Sequence, residues 1–206
     1  MRRLTVDDIE EAVALLKSGG VIVYPTETSY GLGCDATNLA AVERIYAIKG
    51  RPESKALSVI LPSLAEATKY VILRTYSSRL AAHYWPGPFT LIAERQPTSP
   101  LSPHCANRNR HAVRVSSHPV ATALAVGLGV PIVATSANIS GANDIYKIAD
   151  VLATYDPAQL GKGGDMPDAY IDGGDLPVVP PSTIVELGQE GFKVLRQGGL
   201  VIRPVW

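Results

Sequence analysis

Short apolar blocks alternate along this chain with stretches whose apolar positions recur every three or four residues. Thr5 reads as a helix start, with Asp8 three positions on as a capping-box variant. Ile9, Ala12, Val13 and Leu16 then share one face, and Gly19-Gly20 closes the helix. Val21–Tyr24 is a buried strand that Pro25 ends, and 26–36, with Gly31 and Gly33, reads as a loop. Asn38 caps a second helix through Ala41, Val42, Ile45 and Ile48, and Leu57–Leu61 is the next strand. Ser63 and Glu66 predict a third helix and Ser77–Tyr84 a fourth, followed by the stiff turn Trp85-Pro86-Gly87-Pro88. Strands follow at Phe89–Ala93 and Ala112–Ser116, separated by an exposed loop over 96–111 that carries Arg108 and Arg110. Pro119 opens a helix to about Val126, Val130–Ala134 is a strand, 135–144 a polar loop and 146–154 a helix. Ala169–Asp172, Thr183–Leu187 and Lys193–Leu195 are short late strands. Strands alternate with helices early and cluster late, which predicts an α/β fold with a mixed sheet flanked by helices, not a clean doubly wound one. No linker or repeat interrupts residues 1–206, so one domain is expected.

Composition narrows the classes. The 206 residues are 46% hydrophobic and 18% charged, which excludes a disordered or fibrous chain. The longest apolar runs fall far short of a ~20-residue membrane span, and no signal-peptide pattern opens the chain, so no membrane is expected. Cys34 and Cys105 offer neither zinc spacing nor a disulfide framework, favouring a reducing, cytoplasmic setting. The four histidines lack ligand spacing and read as surface or capping residues; no metal site is expected. With 19 basic and 19 acidic residues the formal charge is zero, so an anionic ligand has to be met by a local cluster. There is no P-loop, H-E-x-x-H or G-x-S-x-G. Gly31-x-Gly33-x-x-Ala36 does not open straight into a helix, as a dinucleotide fingerprint would.

Several polar clusters flank the short strands. Lys49-Gly50-Arg51-Pro52-Glu53-Ser54-Lys55 sets three cations in seven residues between a helix and a strand, where a phosphate can be gripped by a fork and point charges. Thr26-Glu27-Thr28-Ser29-Tyr30-Gly31 offers hydroxyls and a carboxylate just past a strand end, which suits either a polar substrate or ordinary turn chemistry. Arg114 faces opposite to Val113 and Val115 in an apolar strand and needs an anion, either a structural carboxylate or a ligand. Thr135–Gly141 supplies hydroxyls, an amide and a glycine, as a phosphate nest or a capped loop would. Pro181-Ser182-Thr183 and Arg196-Gln197-Gly198-Gly199 are weak alone. Strand ends far apart in sequence can converge at one sheet edge; convergence here would line one cleft with four or five cations, suited to a nucleoside triphosphate with its Mg²⁺.

Taken in order, Val23–Gly33, Lys49-Gly50-Arg51, Trp85–Pro88, Val113-Arg114-Val115, Ser136–Gly141, Asp172-Gly173-Gly174 and Pro181-Ser182-Thr183 resemble the threonylcarbamoyl-AMP synthase family, the YrdC-like domain. The resemblance implies a twisted α/β fold with a deep basic cleft. It also implies an enzyme, a nucleotidyltransferase, that makes threonylcarbamoyl-adenylate and pyrophosphate from L-threonine, bicarbonate and ATP. ATP is then a substrate that carries Mg²⁺, and a tRNA-modifying threonylcarbamoyl transferase complex accepts the product. Contact with tRNA itself is left open. By the same resemblance Lys49 and Arg51 are catalytic, and Lys55, Asn138 and Arg196 join them on the nucleotide. Thr28, Tyr30, Arg114, Ser136 and Ser182 fall on the threonine side. Lys55 stands where some members have asparagine, and Ala142–Tyr146 departs from the Pro/Ser/Thr-rich stretch of many members. The sequence reads to Trp206, so the second domain of longer members is not expected. Two alternatives are a noncatalytic RNA-binding module using the cleft and a carbamoyl-adenylate former of the hydrogenase-maturation type, whose zinc-finger cysteines are absent here.

Overall fold

The computed structural model describes residues 1–160, 165–188 and 191–205. In chain order the elements are β1 (Arg2–Thr5), α1 (Ile9–Lys17), β2 (Ile22–Pro25), β3 (Tyr30–Gly33), α2 (Leu39–Lys49) and β4 (Val59–Ile60). Then come α3 (Thr75–Tyr84), β5 (Phe89–Glu94), β6 (Ala106–Asn107), β7 (Arg110–Arg114), α4 (Pro119–Leu128), β8 (Ile132–Val133) and β9 (Thr135–Ser136). The last are α5 (Ile148–Thr154), α6 (Pro157–Leu160), β10 (Ala169–Asp172), β11 (Thr183–Leu187) and β12 (Phe192–Arg196).

The strands form two mixed, twisted sheets rather than one. The first runs β1-β10-β2-β3-β9 and the second β12-β11-β5-β7-β4-β8, with β6 hairpinned onto β7. In the first sheet β1, β10 and β2 run parallel while β3 and β9 pair antiparallel; in the second, parallel pairs (β11 with β5, β4 with β7) alternate with antiparallel ones. The continuous apolar run at β2 is buried on both faces. Ile22 and Tyr24 pack with Leu16 of α1 and Leu124 of α4, while Val23 packs with Ile45 of α2 on the other side. Among the described residues no helix is long and apolar enough to cross a membrane.

Five readings change. Thr5 does not open α1. It ends β1, opposite Asp172, and its amide and hydroxyl both donate to the Asp8 carboxylate, so the helix begins after Asp8. The expected loop at 26–36 contains β3. Gly33 is there for close packing: a Cβ on it would lie 2.4 Å from the Val133 carbonyl oxygen. The segment 96–111 is not an exposed loop. Leu101, Ser102 and Cys105 are buried, Ser102 N–H donates to the Ala36 carbonyl, and Leu57 N–H donates to that of His104. The Ser63–Glu66 signal yields only one 3₁₀ turn, Ala65–Lys69. His111 departs from the surface reading as well. It is buried, with Nδ1 against the Cys105 carbonyl and Nε2 against Ser99 Oγ, and burial lowers its pKa. His118 does cap α4, its Nδ1 accepting from Val120 N–H.

Candidate functional site

Alternation along three neighbouring strands builds one wall of a cavity of about 1020 Å³. Phe89, Leu91, Val113 and Val185 point into the core, so Thr90, Ile92 and Glu94 of β5, Arg110, Ala112 and Arg114 of β7, and Ile184 and Glu186 of β11 point the other way, into the cavity. The register sets Thr90 beside Ile184 and Ile92 beside both Glu186 and Ala112. The first sheet lines the cavity with Tyr24, the β2–β3 connection, and Thr135 and Ser136 of β9. The lining carries six cations (Arg51, Lys55, Arg108, Arg110, Arg114, Arg196) against three acids (Glu94, Asp144, Glu186), within a chain of zero formal charge. That balance favours anionic ligands.

The β2–β3 connection is organised by Thr26. Its hydroxyl donates to the Ser29 carbonyl at 2.7 Å, accepts from the amides of Thr28 and Ser29, and lies 3.0 Å from Thr28 Oγ1. Thr26, Thr28 and Ser29 line the cavity. Glu27, between them, is not a lining residue. One carboxylate oxygen accepts from Ser116 Oγ and the other lies 3.5 Å from Arg114 Nη1. Arg114 thus has the structural carboxylate that its strand position demanded and lines the cavity too. Glu27 Oε1 is buried and makes no hydrogen bond of good geometry.

Tyr30 lines the cavity with its hydroxyl already committed: it donates to the Gly174 carbonyl at 2.7 Å and accepts from Gly173 N–H at 3.1 Å, fixing the Asp172–Gly174 turn. Burial raises its pKa, against the Gly173 amide, which lowers it. Ser182 Oγ lies 2.9 Å from Thr90 Oγ1 and accepts from Arg196 Nη2, while the Ser182 carbonyl takes both Arg196 Nε and Nη2. Burial lowers the Arg196 pKa; Asp144 opposes this and Arg114 adds to it.

The Lys49–Lys55 cluster splits. Arg51 and Lys55 line the cavity. Arg51 also pins its own loop, donating from Nε to the Lys55 carbonyl and from Nη2 to that of Ala56, while Lys55 is exposed. Lys49 is not among the lining residues. It is 2% exposed, and its Nζ donates to the carbonyls of Ser136 and Asn138 and to Asn138 Oδ1. Asn138 is also off the lining. Its Oδ1 takes a second bond from Ser136 Oγ at 2.6 Å, and its Nδ2 donates to the Ala142 carbonyl. Lys49 and Asn138 therefore brace the 136–142 segment from behind, and only Ser136 of that group reaches the cavity. Burial first, and Arg51 second, pull the Lys49 ammonium down to about 8.

Of the ten residues expected at the site, eight line one cavity: Thr28, Tyr30, Arg51, Lys55, Arg114, Ser136, Ser182 and Arg196. Thr90, Asp144 and Glu186 were not singled out from sequence. Thr90 and Glu186 carry a signal in retrospect, since they alternate with core residues of their strands; Asp144 sits in irregular chain and carries none.

A family model named Sua5_yciO_yrdC, described as telomere recombination, matches residues 14–198. Among solved structures, Pyrococcus abyssi Sua5 complexed with L-threonine is 30% identical with a TM-score of 0.84 over 97% of this chain and 57% of that one. Escherichia coli YciO is 28% identical with a TM-score of 0.79, covering 96% and 93%. A Methanobacterium thermoautotrophicum protein solved in solution is 29% identical with a TM-score of 0.70, covering 100% and 93%. The chain thus spans little more than half the length of the Sua5 chain it matches.

Proposed function

Since the chain belongs to the Sua5/YciO/YrdC family, we propose that residues 1–206 form one YrdC-like domain that makes threonylcarbamoyl-AMP and pyrophosphate from L-threonine, bicarbonate and ATP. The observation that carries this reading is the single cavity into which eight dispersed cationic, hydroxyl and aromatic residues converge. The Sua5 relative solved with L-threonine supports the amino-acid half of it.

Threonine's amine condenses with bicarbonate, releasing water and leaving a carbamate. A carbamate oxygen attacks the α-phosphorus of ATP, and the bond to the β-phosphate breaks with its electron pair leaving on pyrophosphate. No side chain has to exchange a proton in the second step, so the protein's contribution is positioning and charge neutralisation. Arg114, held beside Glu27, suits the substrate carboxylate or the carbamate. Thr28 and Ser182 offer hydroxyls to threonine. Arg51, Lys55 and Arg196 suit the phosphates of MgATP, whose cation enters with the substrate. Lys49 and Asn138 act through Ser136, as positioning residues rather than phosphate contacts. Two unpaired, buried cysteines accord with a cytoplasmic setting. The product is a mixed anhydride and requires an acceptor; a tRNA-modifying threonylcarbamoyl transferase complex is the partner proposed for it.

The test is pyrophosphate release that depends on both threonine and bicarbonate, with serine and carbamoyl phosphate as controls. Release driven by carbamoyl phosphate would replace this reading with the carbamoyl-adenylate one. Affinity for tRNA with a steep salt dependence and no pyrophosphate would replace it with a noncatalytic RNA-binding module.

A further inference from the structure

β6 and β7 pair Ala106 with His111 and Asn107 with Arg110, which leaves Arg108 and Asn109 as a two-residue hairpin turn. Arg108 has a φ of +55°, the one non-glycine residue with positive φ among those described. Asn109 does not share it, so the turn has its positive φ at the first central position, where hairpins of this kind favour glycine. Asparagine tolerates the left-handed region better than arginine does, and asparagines flank Arg108 on both sides. The sequence places arginine at the one position of Asn107-Arg108-Asn109 where the backbone disfavours it. The turn is also anchored, with Arg95 N–H donating to the Asn109 carbonyl at 2.9 Å.

Among the described residues the Arg108 side chain gains no polar contact in return for that strain. The Arg108 side chain is exposed and makes no hydrogen bond or ion pair among the described residues, yet it lines the cavity. Its neighbour Arg110 differs: Nη1 donates to Glu186 Oε1 at 3.2 Å and to the Leu187 carbonyl at 2.7 Å. One arginine of the hairpin is neutralised and the other is free. Strain retained at a ligand-facing residue points to a ligand that repays it.

We propose that Arg108 is a phosphate-contacting residue of the cavity, holding the outer phosphates of the nucleotide and the pyrophosphate they become. This rests on the synthase reading above. When the bond between the α- and β-phosphates breaks, its electron pair stays on the pyrophosphate oxygen, and a guanidinium there stabilises the added charge without a proton transfer. Arg108 is exposed and yet lines the cavity, so a polyanion entering from solvent can reach it.

Three proteins test this: wild type, Arg108→Asn, which suits the turn and removes the charge, and Arg108→Lys, which keeps the charge without the fork. Binding of inorganic tripolyphosphate is measured by calorimetry, the KM for ATP and for threonine by pyrophosphate release, and folding by thermal melting. Arg108→Asn is expected to weaken tripolyphosphate binding and raise the KM for ATP by about tenfold, the loss of one charge-assisted contact. The KM for threonine stays within about twofold, and the melting temperature is equal or higher. Arg108→Lys recovers most of the affinity. Unchanged tripolyphosphate affinity in Arg108→Asn, or an affinity loss accompanied by a lowered melting temperature, overturns the proposal. A wild type that binds tripolyphosphate through Arg108 but releases no pyrophosphate upholds the anion contact and sinks the synthase reading instead.

Discussion

Lys49, at the C-terminus of α2, and Arg114, at the end of β7, are both buried cations, and their surroundings treat the charge in opposite ways. Lys49 is wrapped by neutral oxygens, two carbonyls and one side-chain amide, and is off the cavity lining. Arg114 sits beside a carboxylate and opens onto the cavity. Dipoles stabilise a buried ammonium less completely than a counter-ion does, which is why burial lowers the Lys49 pKa. The difference separates two uses of a buried charge. Lys49 spends its donors on the protein and orders a segment. Arg114 is balanced by Glu27 and lines the cavity, which leaves its fork open to the substrate anion proposed above.

The sharpest break of this comparison is Arg114→Ala. It removes a cation aimed into the cavity and leaves the Glu27 carboxylate buried without its ion pair. Threonine-dependent pyrophosphate release is expected to fall by ~10²–10³, the cost typical of losing one preorganised charge contact. A turnover within a factor of three of wild type would remove Arg114 from the substrate.

Next is Lys49→Ala, where stability rather than turnover is the first readout. Three acceptors that shared one ammonium lose it inside the protein. The expected cost is about 2–3 kcal/mol by denaturant titration, the range for orphaned buried polar groups. The family resemblance makes Lys49 and Arg51 catalytic alike; the geometry distinguishes them. Arg51→Ala is the smaller change. It loosens a surface loop and removes one cavity cation, so pyrophosphate release falls by about tenfold, or ~1.4 kcal/mol, with stability within about 1 kcal/mol of wild type. Equal stability losses in the two variants would erase the distinction.

That distinction marks the limit of what sequence conveyed. Lys49 and Arg51 are two positions apart in one basic run, but Lys49 is the last residue of α2 and Gly50, at φ +57°, turns the chain before Arg51. A left-handed turn there sends one cation inward and the next outward, and a list of charges does not contain that step. Where the local signal is strong the sequence suffices: Asn38 caps α2 by accepting from Ala41 N–H, and the apolar runs of β10 and β11 mark those strands although their partners are distant. Where a distant partner decides, it failed. β1 exists because it pairs with β10 some 167 positions away, and β3 because it fits between β2 and β9. The site was legible as a set because the clusters lie in or beside short apolar strands. Thr90 and Glu186 were not, because each stands alone among apolar neighbours.

The gentlest probe is proton titration of Lys49 itself. Its pKa is about 8 in the fold against 10.5 for the free side chain. Below about pH 8 the folded and unfolded chains both hold the proton, so this group adds no slope to stability. Between about 8 and 10.5 the unfolded chain holds it and the folded chain does not. Stability then rises with pH, by roughly 1 kcal/mol per unit at most, because the unfolded state binds more protons. Tyrosines and cysteines of the unfolded chain titrate in the same window, so the quantity to measure is the difference between wild type and Lys49→Met across pH 7–10. It should be flat below 8 and move in favour of wild type above. A difference that is flat throughout would mean that the carbonyls of Ser136 and Asn138 hold the charge as well as water does, and Lys49 would then belong with Arg114 as a fully compensated cation.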